Sequence, residues 1–473
     1  MSRSRIEEAF PTLAPLFRKA GVGRGLRWIT RRAWKPVLAV LLLLFIADGV
    51  ATLVTGRMVE AEIDKIRARG EYVSYGDLAG QPVLDSENGA LLYERAFKLM
   101  PKPSEKISAY ETLLFHWEKR KNDPTVWRQA QAELDKCKGV FALVEQAQRK
   151  PACKFTTNWN DGPGALFTYL ARLRQVSRLL SAQALIEAHN GDMVAALRYV
   201  KRASVTSETI KNDPTMIHCV VRDFLLNMAS WTLRQLAVMG KMPAGDAKEL
   251  SDYFGRIDLT PGFVNGLRGE RVWTIGAFDQ ARTKGAEEFW YIAGGEPGCP
   301  SLWLRFYCSR LGRPWLYRDE LRALRYWDRT INISKRDYRT ITPAEWKQFD
   351  KEIEECGTIG SVVLPVFRRA RAAADRSQAE VNGSRILLAL QVYGDRNASY
   401  PDTLGKLEAS LGWGLNLIDP LSGKEFIYKR QGDGFFFYSI GQNLKDDGGR
   451  EKPKRTPPPL DNYPDDIVWK MDR

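Results

Sequence analysis

Three sets of side chains in this 473-residue chain have types suited to chemistry: scattered carboxylates, three histidines and six cysteines. Glu270, in Arg268-Gly269-Glu270-Arg271, reads as a buried carboxylate paired with arginine, with general acid–base work as the other use of such a group. Glu287 and Glu288 stand beside Trp290, a layout reminiscent of glycoside cleavage, which needs two carboxyl groups roughly 5–9 Å apart. Adjacent carboxylates are also the ordinary dress of a protein surface. His116 and His218 sit in apolar helical surroundings, and His189 precedes Asn190-Gly191. None is spaced from another as metal ligands are, so each reads as a core or capping residue. P-loop, GxSxG and HExxH patterns are absent. The cysteines Cys137, Cys153, Cys219, Cys299, Cys308 and Cys356 contain no CxxC pair, which argues against zinc. Cys137–Cys153 and Cys299–Cys308 can each close a short disulfide loop, with buried thiols as the alternative. No residue is assigned a catalytic role. The expectation is a non-enzyme, and the alternative is an envelope hydrolase of glycoside type with its carboxylate pair in the helical domain.

Size and charge constrain the scaffold. The chain is too long for one core, so two or three units are expected. The net charge of +14 suggests nucleic acid until it is located. Residues 1–35 carry nine basic and two acidic residues, half of that excess. Directly after them comes Pro36-Val37-Leu38-Ala39-Val40-Leu41-Leu42-Leu43-Leu44-Phe45-Ile46-Ala47. As a helix, 36–55 is about 30 Å long, enough to cross a bilayer. Asp48 opposes that by about 2.5–3.5 kcal/mol if it faces lipid centrally. A signal peptide cleaved near Gly49-Val50-Ala51 is the rival, but its basic region would be unusually long. The basic flank predicts a cytoplasmic N-terminus and an extracytoplasmic bulk, a bacterial type of arrangement in the cell membrane. An even number of cysteines, all beyond the anchor, suits that side.

From Ser86 to about Gln280 the pattern is helical. Leu166, Leu170, Leu173, Val176, Leu180, Ala184 and Leu185 predict one apolar helix face. Asn190-Gly191-Asp192 ends that helix and caps the next, and Asn212-Asp213-Pro214 precedes a third that reaches Leu236. Paired antiparallel helices with small residues at the contact resemble a tetratricopeptide-type hairpin, though no 34-residue period recurs. Residues 285–345 interleave Trp303, Phe306, Tyr307, Trp315, Tyr317, Tyr326 and Trp327 with Arg305, Arg310, Arg313, Arg318, Arg322, Arg325 and Arg329. Such a block can stack on single-stranded nucleic acid, a partner not expected outside a membrane. Asp319, Glu320 and Asp328 offer local pairing, so a helix packed by its aromatics is the expectation. A membrane-surface role is the functional alternative.

Beyond Pro365 a helix is expected to Tyr393, followed by a stop at Tyr400-Pro401 and a short helix over Thr403–Ala409 capped by Asp402. Two β-prone runs, Glu425–Arg430 and Phe435–Ile440, flank Gln431-Gly432-Asp433-Gly434, a hairpin signal. Asp419-Pro420-Leu421-Ser422-Gly423 makes the entering turn, and an acidic glycine loop follows.

With Tyr400-Pro401, Asp419-Pro420, Tyr438-Ser439-Ile440-Gly441, Gly448-Gly449 and Asp466-Ile467-Val468-Trp469, this tail resembles the C-terminal domain of the major pseudopilin of type II secretion systems. The layout of anchor, helical middle and tail is also similar to that of a group of bacterial membrane-anchored proteins. The pseudopilin resemblance implies a calcium loop, with Asn443 at the first aspartate position, Asp446 and Asp447 early, and Asp466 closing it. A solvated acidic loop is the alternative. A basic, proline-rich insertion, Arg450–Pro459, interrupts the loop. The polymerising helix and cleavage site of pseudopilins are not matched, so assembly into a pseudopilus is not implied. The expected fold is mainly α: a basic arm (1–35), a transmembrane anchor (36–56), an irregular helical-hairpin domain (57–360) and a small α+β domain (361–473). The expected function is a membrane-anchored scaffold that binds protein partners through its helical domain, linked to a secretion or pilus-like system, with no nucleic acid.

Overall fold

The computed structural model describes residues 22–102, 107–292, 300–357, 360, 367–451 and 465–471. Most of the basic arm (1–21), Cys299 and most of the proline-rich insertion (452–459) lie outside the described residues.

Helix α1 (Val22–Ala68) carries the apolar stretch and extends beyond both ends of the expected crossing segment. Its large apolar side chains from Val37 to Val54 are exposed. Among the described residues it is the one helix long and apolar enough to cross a membrane. After Thr55 the pattern changes. Val59, Ile63 and Ile66 recur at three- and four-residue steps and meet Ile275, Leu321 and Leu324. Each such aliphatic side chain contributes about 1.5–3 kcal/mol when buried, so the helix continues because its C-terminal third has a core of its own.

The body follows as α2 (Ala90–Leu99), α3 (Pro124–Asp135), α4 (Lys138–Gln148), α5 (Thr168–His189), α6 (Met193–Glu208), α7 (Met216–Met239), α8 (Ala244–Phe254) and α9 (Thr260–Thr283). The α5–α6 hairpin forms where expected. Gly191 takes a φ of +88°, and the Asp192 carboxylate accepts the Ala195 N–H at 2.8 Å. A left-handed residue and a capping carboxylate are what so tight a helix–helix turn requires. Leu170, Leu173, Val176, Leu180, Ala184 and Leu185 are buried as the periodicity predicts. Leu166 is not: it is exposed, because Gly162 breaks the chain at φ +52° and α5 begins only at Thr168.

Helices α10 (Leu302–Tyr307), α11 (Arg313–Ile333) and α12 (Pro343–Glu355) form the aromatic-rich part, and α11 lies along α1 and α9. The long helix α13 (Phe367–Asn397) packs across α7 and α8, and α14 (Leu404–Leu411) follows it. The cap of α14 differs from expectation. Thr403 accepts the Lys406 N–H, while Asp402 pairs with Lys406 and Arg430.

The tail forms an antiparallel sheet of three strands rather than a lone hairpin: β1 (Ile427–Gln431), β2 (Gly434–Ser439) and β3 (Ile467–Met471), in that order. Phe437 pairs with Tyr428 on one side and Trp469 on the other. The rings of Phe437 and Trp469 stack with centroids 4.9 Å apart. A Cβ at Gly383 would stand 2.2 Å from the Trp469 ring, so α13 approaches the sheet only because that position is glycine. Most buried apolar residues from Ala90 to Met471 belong to one continuous hydrophobic cluster, with Ile275, Leu321 and Leu324 in the separate core against α1.

Candidate functional site

The turn Asp419-Pro420-Leu421-Ser422-Gly423 and the acidic loop converge at one end of the sheet. Asp419 is buried, and its carboxylate accepts the Leu421 N–H at 3.0 Å, the Ser422 N–H at 3.2 Å and the Ser439 hydroxyl at 2.8 Å. A buried carboxylate saturated in this way pins the turn to the end of β2. Asp465 does similar work for the loop. It accepts the Gln442 N–H at 3.1 Å and the Asn443 N–H at 3.4 Å. Gly441, at φ +70°, leaves room for it, since a Cβ there would lie 2.2 Å from Asp465 Oδ1.

Asn443, Asp446, Asp447 and Asp466 are brought into this same loop. The Asn443 amide donates to Asp447 Oδ2 at 2.7 Å, and that oxygen also accepts the Asp465 N–H at 3.2 Å. Asp446 Oδ1 accepts the Tyr438 hydroxyl at 2.8 Å and the Gly448 N–H at 2.9 Å. Asp466 is buried; its Oδ2 accepts the Gly449 N–H at 2.7 Å, and among the described residues its buried Oδ1 has no hydrogen-bond donor. Burial raises the Asp466 pKa, backbone N–H groups of Gly449 and Asp447 pull it down, and the carboxylates of Asp447 and Asp446 add to the rise. Among the described residues, no group of three or more His, Cys, Asp or Glu side chains is placed to hold a metal ion. The orphan Asp466 oxygen amid like charges suits a hard cation. Asp446 and Asp447, however, would have to exchange present donors for it.

A second polar cluster escaped the sequence reading. His218 is buried, its Nε2 2.6 Å from the Tyr169 hydroxyl and its Nδ1 2.5 Å from the Thr215 hydroxyl. Burial depresses its pKa to about 3, so the ring is neutral and carries one proton. One hydroxyl therefore donates to the ring and the other accepts from it. Asp213 Oδ2 lies 3.6 Å from Nε2 and lines a cleft of about 530 Å³ with Cys153, Lys154 and Glu208. Burial raises the Asp213 pKa to about 7, with Lys154 pulling the other way. A cleft-lining carboxyl of that pKa can give or take a proton near neutrality. The available signal was Asp213-Pro214-Thr215 shortly before His218: Thr215 is the N-cap residue of α7 and meets Nδ1, while Asp213 lies on the Nε2 side. His189 instead stacks on Trp127 at 4.1 Å, and His116 ends the helix Ala109–Phe115.

Glu270 is not paired with arginine. Its Oε1 accepts the Met216 N–H at 3.0 Å, and burial raises its pKa. Its neighbours pair elsewhere: Arg268 with Glu71 at 3.3 Å, and the fully buried Arg271 with Glu71 at 2.8 Å and Asp328 at 3.0 Å. Arg69 closes this cluster on Asp328 at 2.7 Å. Although burial pushes the Glu71 carboxyl up, the guanidinium groups of Arg271, Arg268 and Arg69 hold it below the usual range. Together these pairs tie the end of α1 to α9 and α11. Glu287 pairs with Arg305, and Glu288 with Lys284. Cys137 and Cys153 are thiols, so the expected short loop between them is not closed. Cys137 sits in the α3–α4 core and Cys153 beside the cleft. Cys219, Cys308 and Cys356 are thiols too, and Cys299 lies outside the described residues. Compared with known proteins, the chain matches no protein-family model, no curated protein and no solved structure.

Proposed function

We propose that this is a single-pass membrane-anchored scaffold with a cytoplasmic N-terminus and an extracytoplasmic helical body that binds other proteins. The carrying observation is α1, where a run of exposed apolar side chains passes without a break into a stretch buried against the body. Lipid is the natural cover for the first part, and the basic residues before it favour retention on the cytoplasmic side. The hairpin of α5 and α6 supports tetratricopeptide-like packing for the body. A groove of about 720 Å³, lined by Lys102, Lys136, Arg172, Arg174 and Arg178 against the two carboxylates Glu111 and Glu133, is net basic and offers an acidic protein segment a place to bind. The tail's motifs keep the pseudopilin-like reading, and with it a link to a secretion or pilus-like machine.

Calcium is the ligand this reading gives the acidic loop. Asn443, Asp446, Asp447 and Asp466 would hold it, and the ion would neutralise Asp466, whose proton affinity burial and the neighbouring Asp447 and Asp446 raise. It would thereby fix the loop against the sheet. Calcium added to the full chain should raise its melting temperature, and Asp466→Asn should abolish the rise. No shift would end the calcium reading.

Topology is tested on the full chain in bacterial spheroplasts. External protease should digest 57–473 and spare an N-terminal tag attached to uncleaved protein. A protected body, or a mature chain lacking 1–50, overturns the anchor. In-cell crosslinking from Arg174 substituted by a photoreactive residue tests the partner reading, and recovery of no specific protein removes it.

A further inference from the structure

The crossing helix is flanked by more protein than a single-pass anchor needs. Helix α11 runs parallel to α1: Tyr317 lies against Gly56, Leu321 and Leu324 pack with Val59 and Ile66, and Asp328 is bonded to Arg69. Going backwards from Tyr317, the chain must therefore travel along α1 toward its apolar stretch. It does so, and the Arg310 guanidinium lies over the Phe45 ring, 5.6 Å from its centroid. Phe45 is ten residues before Thr55, about 15 Å along a helix and half of a bilayer core about 30 Å thick.

The burial of α1 itself records this neighbour. Within the apolar stretch Asp48, Ala51 and Thr52 are partly covered, and Thr55, Gly56 and Val59 continue the same stripe. Asp48, one turn from Phe45, lies on this partly covered stripe, which eases the main objection to the crossing helix. The segment that reaches Phe45 has its own two faces. Leu304, Tyr307 and Leu316 point inward and are buried. Leu302 is 84% exposed, Trp303 54%, Leu311 48% and Trp315 40%. Arg305, Arg310 and Arg318 are exposed among them. Large apolar side chains interspersed with arginine and tryptophan are the composition of an element lying in the headgroup–acyl boundary.

We infer that Leu302–Trp315 is a second membrane contact, a foot set into the outer leaflet beside the crossing helix, its exposed leucine and tryptophan side chains in acyl chains and Arg310 held on the Phe45 ring. The inference rests on α1 crossing the bilayer, because only then is lipid present at the depth of Phe45. The foot fixes the body's tilt and height over the membrane, which a lone helix leaves free to rotate.

The test uses the full chain in vesicles of phosphatidylethanolamine and phosphatidylglycerol, photolabelled from the lipid phase by a carbene-forming reagent and mapped by peptide mass spectrometry. Peptides from 35–55 and from 302–315 should both be labelled, and those of the β-sheet should not. Leu302→Glu with Leu311→Glu alters exposed side chains only. It should lower foot labelling about tenfold, as expected when apolar anchors leave the interface, while 35–55 stays labelled. Labelling of 35–55 without 302–315 overturns the foot. Foot labelling untouched by the double variant also overturns it, as does a crosslinked dimer joined through 302–315. Failure to label 35–55 at all refutes the crossing helix instead.

Discussion

The C-terminal sheet and the aromatic foot beside α1 use their distinctive residues in opposite ways. In the sheet region the recognisable motif residues are consumed internally. Asp419 and Asp465 saturate backbone N–H groups, Gly383 makes room for Trp469, and Gly441 makes room for Asp465. In the segment Leu302–Trp315, Leu302, Trp303 and Leu311 are turned outward and Arg310 lies on the Phe45 ring of α1. A motif can thus be memorable because it is needed to fold, while a stretch with no motif can carry the exposed surface.

The largest expected effect lies in the sheet. Trp469 is buried, stacked on Phe437 and covered by the Arg234 guanidinium 5.5 Å from its ring. Trp469→Ala should destabilise the protein by about 3–5 kcal/mol, measured by urea unfolding. A cost below about 1 kcal/mol would mean that the sheet is appended rather than part of the common core.

Next comes the joint between anchor and body. Arg271→Met removes the buried one of the two guanidinium groups, Arg271 and Arg69, that Glu71 and Asp328 share. The expected loss is about 2–3 kcal/mol, below that of a wholly buried pair because both carboxylates keep some water and Arg69 and Arg268 remain. If proteolysis between α1 and the body does not accelerate in this variant, the joint is held by its apolar contacts alone.

Much of this architecture was legible in the residues. Periodicity located α5, α6 and α7, and the Asn190-Gly191-Asp192 turn defined their hairpin. The apolar stretch was plain, but its continuation to Ala68 was not. Val59, Ile63 and Ile66 make a pattern only once Leu321 and Leu324, more than 250 residues away, supply the other side. β3 was hidden for a similar reason: a strand of five residues becomes one only by pairing with β2. The site was less legible still. A buried neutral histidine depends on which hydroxyls surround it, and Tyr169 is 49 residues from His218. For residues 285–345 the sequence left a membrane-surface role as the alternative to an aromatic-packed helix, because composition cannot say which side of a helix meets water.

A pH experiment sharpens the comparison by separating two carboxylates near the joint. Glu320 is fully buried; burial raises its pKa to about 7 even though Arg282 pairs with it. Its folded pKa exceeds the unfolded value of about 4.5, so its favourable contribution is complete below that value and lost as pH rises through about 7. Glu71 has the opposite sign, its contribution being present above its unfolded pKa and lost as pH falls through the depressed folded one. Between about pH 5 and about pH 8 the melting temperature should therefore fall a few degrees further in the native chain than in Glu320→Gln. Parallel curves would mean that the Glu320–Arg282 pair is ionised throughout.

The smallest effect is expected where the opening contrast predicts none. Leu302→Ser with Leu311→Ser removes exposed apolar surface and breaks no internal hydrogen bond. In detergent the change in unfolding free energy should stay within about 0.5 kcal/mol, as for surface positions generally. A conserved fold with weakened lipid labelling would separate location from stability at the level of two side chains. A loss as large as that of Trp469→Ala would instead show that Leu302 and Leu311 pack against protein, and the two regions would then differ in degree rather than in kind.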